Sequence, residues 1–302
     1  MHDPMELVHV VDDVPELEAD HEDLVLVHAL DGFLDAGNAG RLAAEHLATD
    51  SRVIASFDLD QLYDYRGRRP PLTFSEDHYE DYAAPRLLLR VTRDRAGAPY
   101  LLLAGPEPDY QWERFAAAVR GLLQRFGVTL TVGLGAVPMA LPHTRPLMMT
   151  VHSAHAEELT TPNIWKGNIR VPGSAAAVLE LRLGEWGHRA MGFVAHVPHY
   201  VAQHDYPQAA VDLVEAVSRQ TGLELSPGAL VEAAVERAAE INTQVEGSEE
   251  ISEAVAALEQ QYDAFTRASE SSLLADDTPI PSAEELGAEF ERFLAGLDRR
   301  DE

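Results

Sequence analysis

Apolar residues along this chain gather into short runs bounded by turn formers, and between the runs they recur at helical spacing. LVLVHAL at 24–30, YLLLA at 100–104, VTLTVGL at 128–134 and AMGFVAH at 190–196 are apolar stretches of strand length. Such runs are the signature of strands buried on both faces. Helical spacing follows at 39–48, 110–126 and 207–220, with Asn38 placed to cap the first, and a further strand is expected at 147–152. No element is assigned between 49 and 99. Strands alternating with helices predict a layered α/β core with a mostly parallel sheet. Ligands in such sheets gather at the C-terminal strand ends. The loops expected there are 31–38, 105–109, 135–146 and 197–205.

The character changes at 226. Two helices are expected at 227–246 and 249–267, turning at Gly247-Ser248 with Ser248 as N-cap. In the second, Ile251, Val255, Leu258, Tyr262 and Phe265 step by four, three, four and three, an a/d seam. The seam spans two heptads, too short for an autonomous coiled coil. It either packs within the molecule or forms a surface for another protein or a second copy. A linker is expected at 270–280, then a last helix opened by Ser282 and Glu285 at capping-box spacing. The chain thus divides into a loose 1–22, an α/β core at 23–225 and a helical extension at 226–302.

Composition narrows the function classes. With 46% apolar and 25% charged residues in 302, wholesale disorder is excluded. No apolar run reaches the ~18–20 residues needed to span a bilayer. The first residues are acidic and lack the basic and apolar regions of a secretory signal, so the expected location is the cytoplasm. Cysteine is absent, which removes disulfides, thiol nucleophiles and thiolate metal sites. A formal charge of −28 repels phosphate backbones and anionic lipid, so neither nucleic acid nor membrane is an expected partner. The only lysine, Lys166, sits in NIWKGN and not in a phosphate-binding GxxxxGK[ST] loop.

Each candidate for chemistry has a plain structural reading beside it. His152 and His155, His196 and His199, and then His204 make no metal-ligand motif, and HExxH is missing. No GxSxG occurs, and Ser174 reads as the N-cap of a helix at 175–183. Gly133 and Gly135 resemble a truncated dinucleotide fingerprint with Pro138 in place of its last glycine; a turn with positive φ explains them better. Asp31 and Asp35 could serve as paired acid/base groups or cap the following helix. His143 and Arg145 could hold an anion or pair with local acids. Those four are the candidate pocket residues. No metal or cofactor is expected, and enzymatic activity is left open.

Several of these segments resemble one family. LDGFLDAGNAG at 30–40 is similar to the Gly-(Trp/Phe)-x-Asp-Ala-Gly segment of the proteasome assembly chaperone 2 family, with Phe33 where many relatives carry Trp. LPHTRP at 141–146 resembles its Pro-His-Thr-Arg-Pro loop. NIWKGNIRVPGSAAAVLE at 163–180, HVPHYVAQHDYPQAA at 196–210 and EISEAVAALEQQYD near the C-terminus resemble its later blocks, the last that of a bacterial branch. The resemblance implies a three-layer core like that of purine nucleoside phosphorylase. It implies homo-oligomers, trimers among them, and proteasome subunits as partners. Two functions follow as expectations: a non-enzymatic assembly chaperone or adaptor, or a small-molecule enzyme or ligand-binding protein on a phosphorylase-like core.

Overall fold

The computed structural model describes residues 3–17, 23–33, 35–155, 159 and 168–274, the last six of these as backbone only. The apolar run beginning at Leu24 is strand β2 (Leu24–Asp31), with six successive residues buried. Alternate side chains leave its two faces. Val25, Val27 and Ala29 enter one apolar cluster, and Leu24 and Leu26 enter another. A strand so placed must lie inside a sheet covered on both sides.

The other strands are β1 (Val8–Val10), β3 (Arg52–Phe57), β4 (Thr73–Ser75), β5 (His78–Glu80), β6 (Leu88–Arg93), β7 (Pro99–Pro106), β8 (Val128–Met139), β9 (Met149–Ser153) and β10 (Arg189–Pro198). Eight of them form one sheet in the order β1-β3-β6-β7-β2-β8-β10-β9, while β4 and β5 make a separate hairpin. The central strands β7, β2, β8 and β10 are parallel. Antiparallel strands extend both flanks. The helices are α1 (Ala39–Leu47), α2 (Trp112–Phe126), α3 (Ala175–Glu185), α4 (Pro207–Thr221), α5 (Ala229–Glu246) and α6 (Glu249–Leu274). Helices α1 and α4 bury one face of the sheet and α2 and α3 the other, giving three layers.

Helix α5 joins the first layer through Leu230, Ala234 and Ile241. No helix among the described residues is long and apolar enough to cross a membrane.

Four local expectations change. Val8–Val10, in the segment expected to be loose, forms the edge strand paired with β3. Asn38 does not cap α1: it sits at φ 52° with no side-chain cap bond. Gly133 and Gly135 make no turn, because β8 runs through them and neither has positive φ. Helix α6 continues to Leu274, past the expected start of the linker. Ser174 does cap α3, its hydroxyl accepting from the Ala177 N–H at 3.1 Å. Lys166 and the helix expected from Ser282 lie outside the described residues.

Candidate functional site

The loops at the C-terminal ends of β2, β7, β8 and β10 form one polar network in two halves. The first half follows β2. Asp35 caps α1 in place of Asn38: its Oδ1 accepts the Gly40 N–H at 2.7 Å and its Oδ2 the Arg41 N–H at 3.0 Å. Burial raises the Asp35 carboxyl above its ordinary range, while the two backbone N–H groups pull it back. Gly37, at φ 69°, lies against the 199–206 loop. It donates to Ala202 O and accepts from the Tyr206 N–H, both at 2.8 Å. A Cβ there would stand 2.7 Å from Tyr206 Cβ, so the close approach requires glycine. Asp205 completes the lock, accepting from Asn38 Nδ2 at 2.6 Å and Arg41 Nη2 at 2.7 Å.

Asp31 itself is exposed, and its carbonyl accepts the Glu107 N–H at 2.8 Å. Sequence reasoning missed Glu107, the buried carboxylate of this region. It is buried at the end of β7, where it accepts the Phe33 N–H at 3.2 Å and the first N–H of α3, that of Ala175. A helix N-terminus favours such a charge. The close approach needs glycine at 32, where a Cβ would come within 1.9 Å of Glu107 Oε2.

The second half joins the loop after β8 to α5 and α6. The His143 backbone N–H donates to Tyr200 Oη at 2.7 Å, and its Nδ1 lies 2.7 Å from the same oxygen. Its Nε2 lies 3.0 Å from Asn242 Oδ1. The Tyr200 hydroxyl can therefore donate to Nδ1 while Nε2–H donates to Asn242. Arg145 grips α6, with Nε 2.8 Å from Asp263 Oδ1, Nη2 3.0 Å from Oδ2, and Nη1 3.2 Å from Glu259 Oε1. Hydrogen bonding to Arg145 holds the Asp263 carboxyl below its ordinary range and raises the guanidinium pKa in return. The Thr144 hydroxyl donates to Glu259, and the Tyr262 hydroxyl donates to Pro146 O at 2.9 Å.

The four pocket candidates thus do not converge. No hydrogen bond or ion pair among the described residues joins Asp31 or Asp35 to His143 or Arg145; the 199–206 loop lies between them, touching both halves. Two clefts, of about 400 and 250 Å³, are lined by none of the four. Among the described residues, no three or more His, Asp or Glu side chains are grouped to hold a metal.

A histidine-and-glycine row crosses the sheet face beneath α3. In register stand His28 on β2, Gly133 on β8, Gly192 on β10 and His152 on β9. The His28 ring occupies the space a Gly133 side chain would fill, with Cε1 2.8 Å from the site of its Cβ; the His152 ring fills the space over Gly192 in the same way. His152 Nδ1 is tied to Glu180 Oε1 at 2.8 Å, and His196 Nε2 to Thr150 Oγ1 at 2.8 Å. His28 and His196 are buried packing and hydrogen-bonding groups, and His152 lies half-buried on the edge strand β9.

The seam residues are divided. Val255 is buried, Leu258 and Tyr262 are half-buried, and Ile251 and Phe265 are exposed.

The PAC2 family model matches residues 29–245, from the last residues of β2 to the last turn of α5. The chain belongs to the PAC2 family. Among solved structures, this PAC2 chain is similar to a Mycobacterium tuberculosis protein of unknown function, with 49% identity over 89% of this chain and 92% of that one and a TM-score of 0.85. A Corynebacterium glutamicum protein of unknown function is 38% identical over 85% and 97% of the two chains, with a TM-score of 0.81. A Mycobacterium tuberculosis proteasome-assembly chaperone homologue is 26% identical over 77% of this chain and all of its own, with a TM-score of 0.71. No curated protein matches the chain.

Proposed function

We propose that this PAC2 protein is a non-enzymatic assembly chaperone or adaptor. It acts in the cytoplasm as a homo-oligomer, on proteasome subunits, through the α5–α6 hairpin. One observation carries the reading: the hairpin is clamped to the core by His143 and Arg145, yet Val231, Val235, Ile251 and Phe265 stay exposed on it. Apolar side chains held rigidly in water are the usual makings of a protein interface. The family, and a relative described as a proteasome-assembly chaperone homologue, supply the partner class. The use of Asp35, His143 and Arg145 as structural ties favours binding over catalysis.

The test is affinity capture of the tagged full chain from its own host, with the captured proteins quantified by mass spectrometry. Stoichiometric proteasome subunits or assembly intermediates are expected. Recovery of the chain alone, as a clean homo-oligomer, would overturn the proposal in favour of an enzyme or ligand-binding protein.

A further inference from the structure

The exposed apolar side chains of the hairpin lie on a strongly acidic ground. Val231 is 44% exposed, Val235 68%, Ile251 46% and Phe265 43%. Val231 and Val235 are one turn apart on α5 and share a stripe. Phe265 stands about as far beyond the Gly247-Ser248 turn as Val231 stands before it. In an antiparallel hairpin of equal rise, those two positions fall at a similar level along the two helices. The hairpin therefore carries exposed apolar side chains toward its open end.

Between 229 and 268 the chain carries nine acidic residues and two arginines. Arg237 is paired with Glu240 at 2.8 Å, and Arg145 from the core takes Glu259 and Asp263. Glu232, Glu236, Glu246, Glu249, Glu250 and Glu253 have no ion-pair partner among the described residues. Glu232 and Glu236 flank the two exposed valines directly in sequence.

We infer that this face docks a basic amphipathic helix of another protein, whose aliphatic side chains meet Val231, Val235 and Phe265 and whose Lys or Arg residues meet Glu232 and Glu236. The inference rests on the functional reading above and adds the chemistry of the partner. Charge complementarity selects the occupant. At this face a second copy would set Glu232 and Glu236 against carboxylates of the same face, so the homo-oligomer uses another surface, and anionic lipid is repelled by the same charge. A groove between two antiparallel helices accepts a third helix by its apolar stripe. The clamp through Asn242 and Asp263 fixes the two helices before binding, so little ordering cost falls on this side.

The test uses the full chain and a labelled amphipathic peptide of ~18 residues, leucine on one helical face and lysine on the other, with a leucine–glutamate peptide as control. Binding is read by fluorescence anisotropy at low and high salt. The lysine peptide is expected to bind and the glutamate peptide not, with affinity falling about tenfold or more from 0.05 to 0.5 M salt. Glu232→Lys with Glu236→Lys should weaken binding about tenfold, and Val235→Ser severalfold. Glu76→Lys with Glu80→Lys on the β4–β5 hairpin makes the same net charge change and should leave affinity as it was. Equal weakening by both charge pairs, salt-independent binding, or no binding of the lysine peptide would each overturn the inference. Host capture separates it from the broader reading. If proteasome subunits are captured equally by the chain and by its Glu232→Lys/Glu236→Lys form, the docking inference fails and the functional reading stands. Peptide binding as described, with no subunits captured, does the reverse.

Discussion

Arg145 and Asp263 lie more than a hundred residues apart in the chain and meet in a two-pronged pair, 2.8 Å at Nε and 3.0 Å at Nη2. The pair crosses from the loop after β8 to α6. Both groups are partly exposed, so solvent screens their attraction and the pair serves to place α6 more than to stabilise the fold.

Arg145→Ala should therefore release α6 while the sheet stays folded. Hydrogen exchange of α6 amides should quicken severalfold, with those of β2 and β8 unchanged. The pH dependence follows from Asp263. Its carboxyl is depressed in the folded protein, so the tie is complete above the unfolded value near 3.8 and is lost as pH falls through the lower folded value. Release of α6 by the substitution should be visible at neutral pH and shrink toward pH 3. A cooperative loss of the whole fold on removing Arg145 would contradict this account.

Asp35 gives the opposite sign. Its carboxyl is raised by burial, so the neutral form suits the fold, and stability is lost as pH rises from 3.8 through the raised folded value. Asp35→Asn removes that slope and keeps one acceptor oxygen for the start of α1. Asp35→Ala leaves the Gly40 and Arg41 N–H groups without their cap and should cost about 1–2 kcal/mol. Urea unfolding of the three proteins between pH 4 and 7 checks both statements; equal stabilities for the Asn and Ala forms would count against the cap.

His28 stands on Gly133 with its Nδ1 buried and without a hydrogen-bond partner among the described residues. Burial first, and then the nearby His152, hold its pKa down to about 4. The unfolded chain takes up this proton near 6.5, so stability is complete above that value and is lost as pH falls toward 4. The loss is on the order of 3 kcal/mol. In His28→Leu this part of the acid sensitivity should vanish. Gly133→Ala should cost about 1–3 kcal/mol by overpacking, and much of that cost should disappear when His28 is also shortened. Simple additivity of the two changes would refute the contact.

Gly32 and Glu107 form a second such pair. A Cβ at 32 would displace the Glu107 carboxylate from the Phe33 and Ala175 N–H groups, so Gly32→Ala should destabilise by about 2 kcal/mol. Glu107→Ala alone should cost a similar amount, and the two together little more than either. Thermal melts of the three variants would show whether the costs overlap.

The four central strands were legible because burial on both faces leaves an unbroken apolar run, as in LVLVHAL for β2. The flanking strands β3 and β6 mix exposed and buried residues, and Ser56 and Arg90 break their apolar runs. Topology also placed Asp31, Asp35, His143 and Arg145 at the C-terminal end of the sheet. Their roles were not legible, because each is decided by a distant partner: Glu107 for Asp31, Asn242 and Tyr200 for His143, Asp263 for Arg145. Asp35 is the exception, since its partners lie five and six residues ahead, and helix capping was already one of its two readings. The His28–Gly133 contact depends on strand register, which spacing alone does not give.

The family model ends at residue 245, and α6 begins at Glu249. One loop of the shared core ties this last helix by hydrogen bonds and ion pairs from Thr144, Arg145 and Pro146, beside the buried Val255. A polar clasp asks less of shape than interlocked apolar packing does. The helix is thus a portable attachment: swapping it for a different one that keeps carboxylates at the Glu259 and Asp263 positions would change the surface the molecule presents there without redesigning the sheet that carries it.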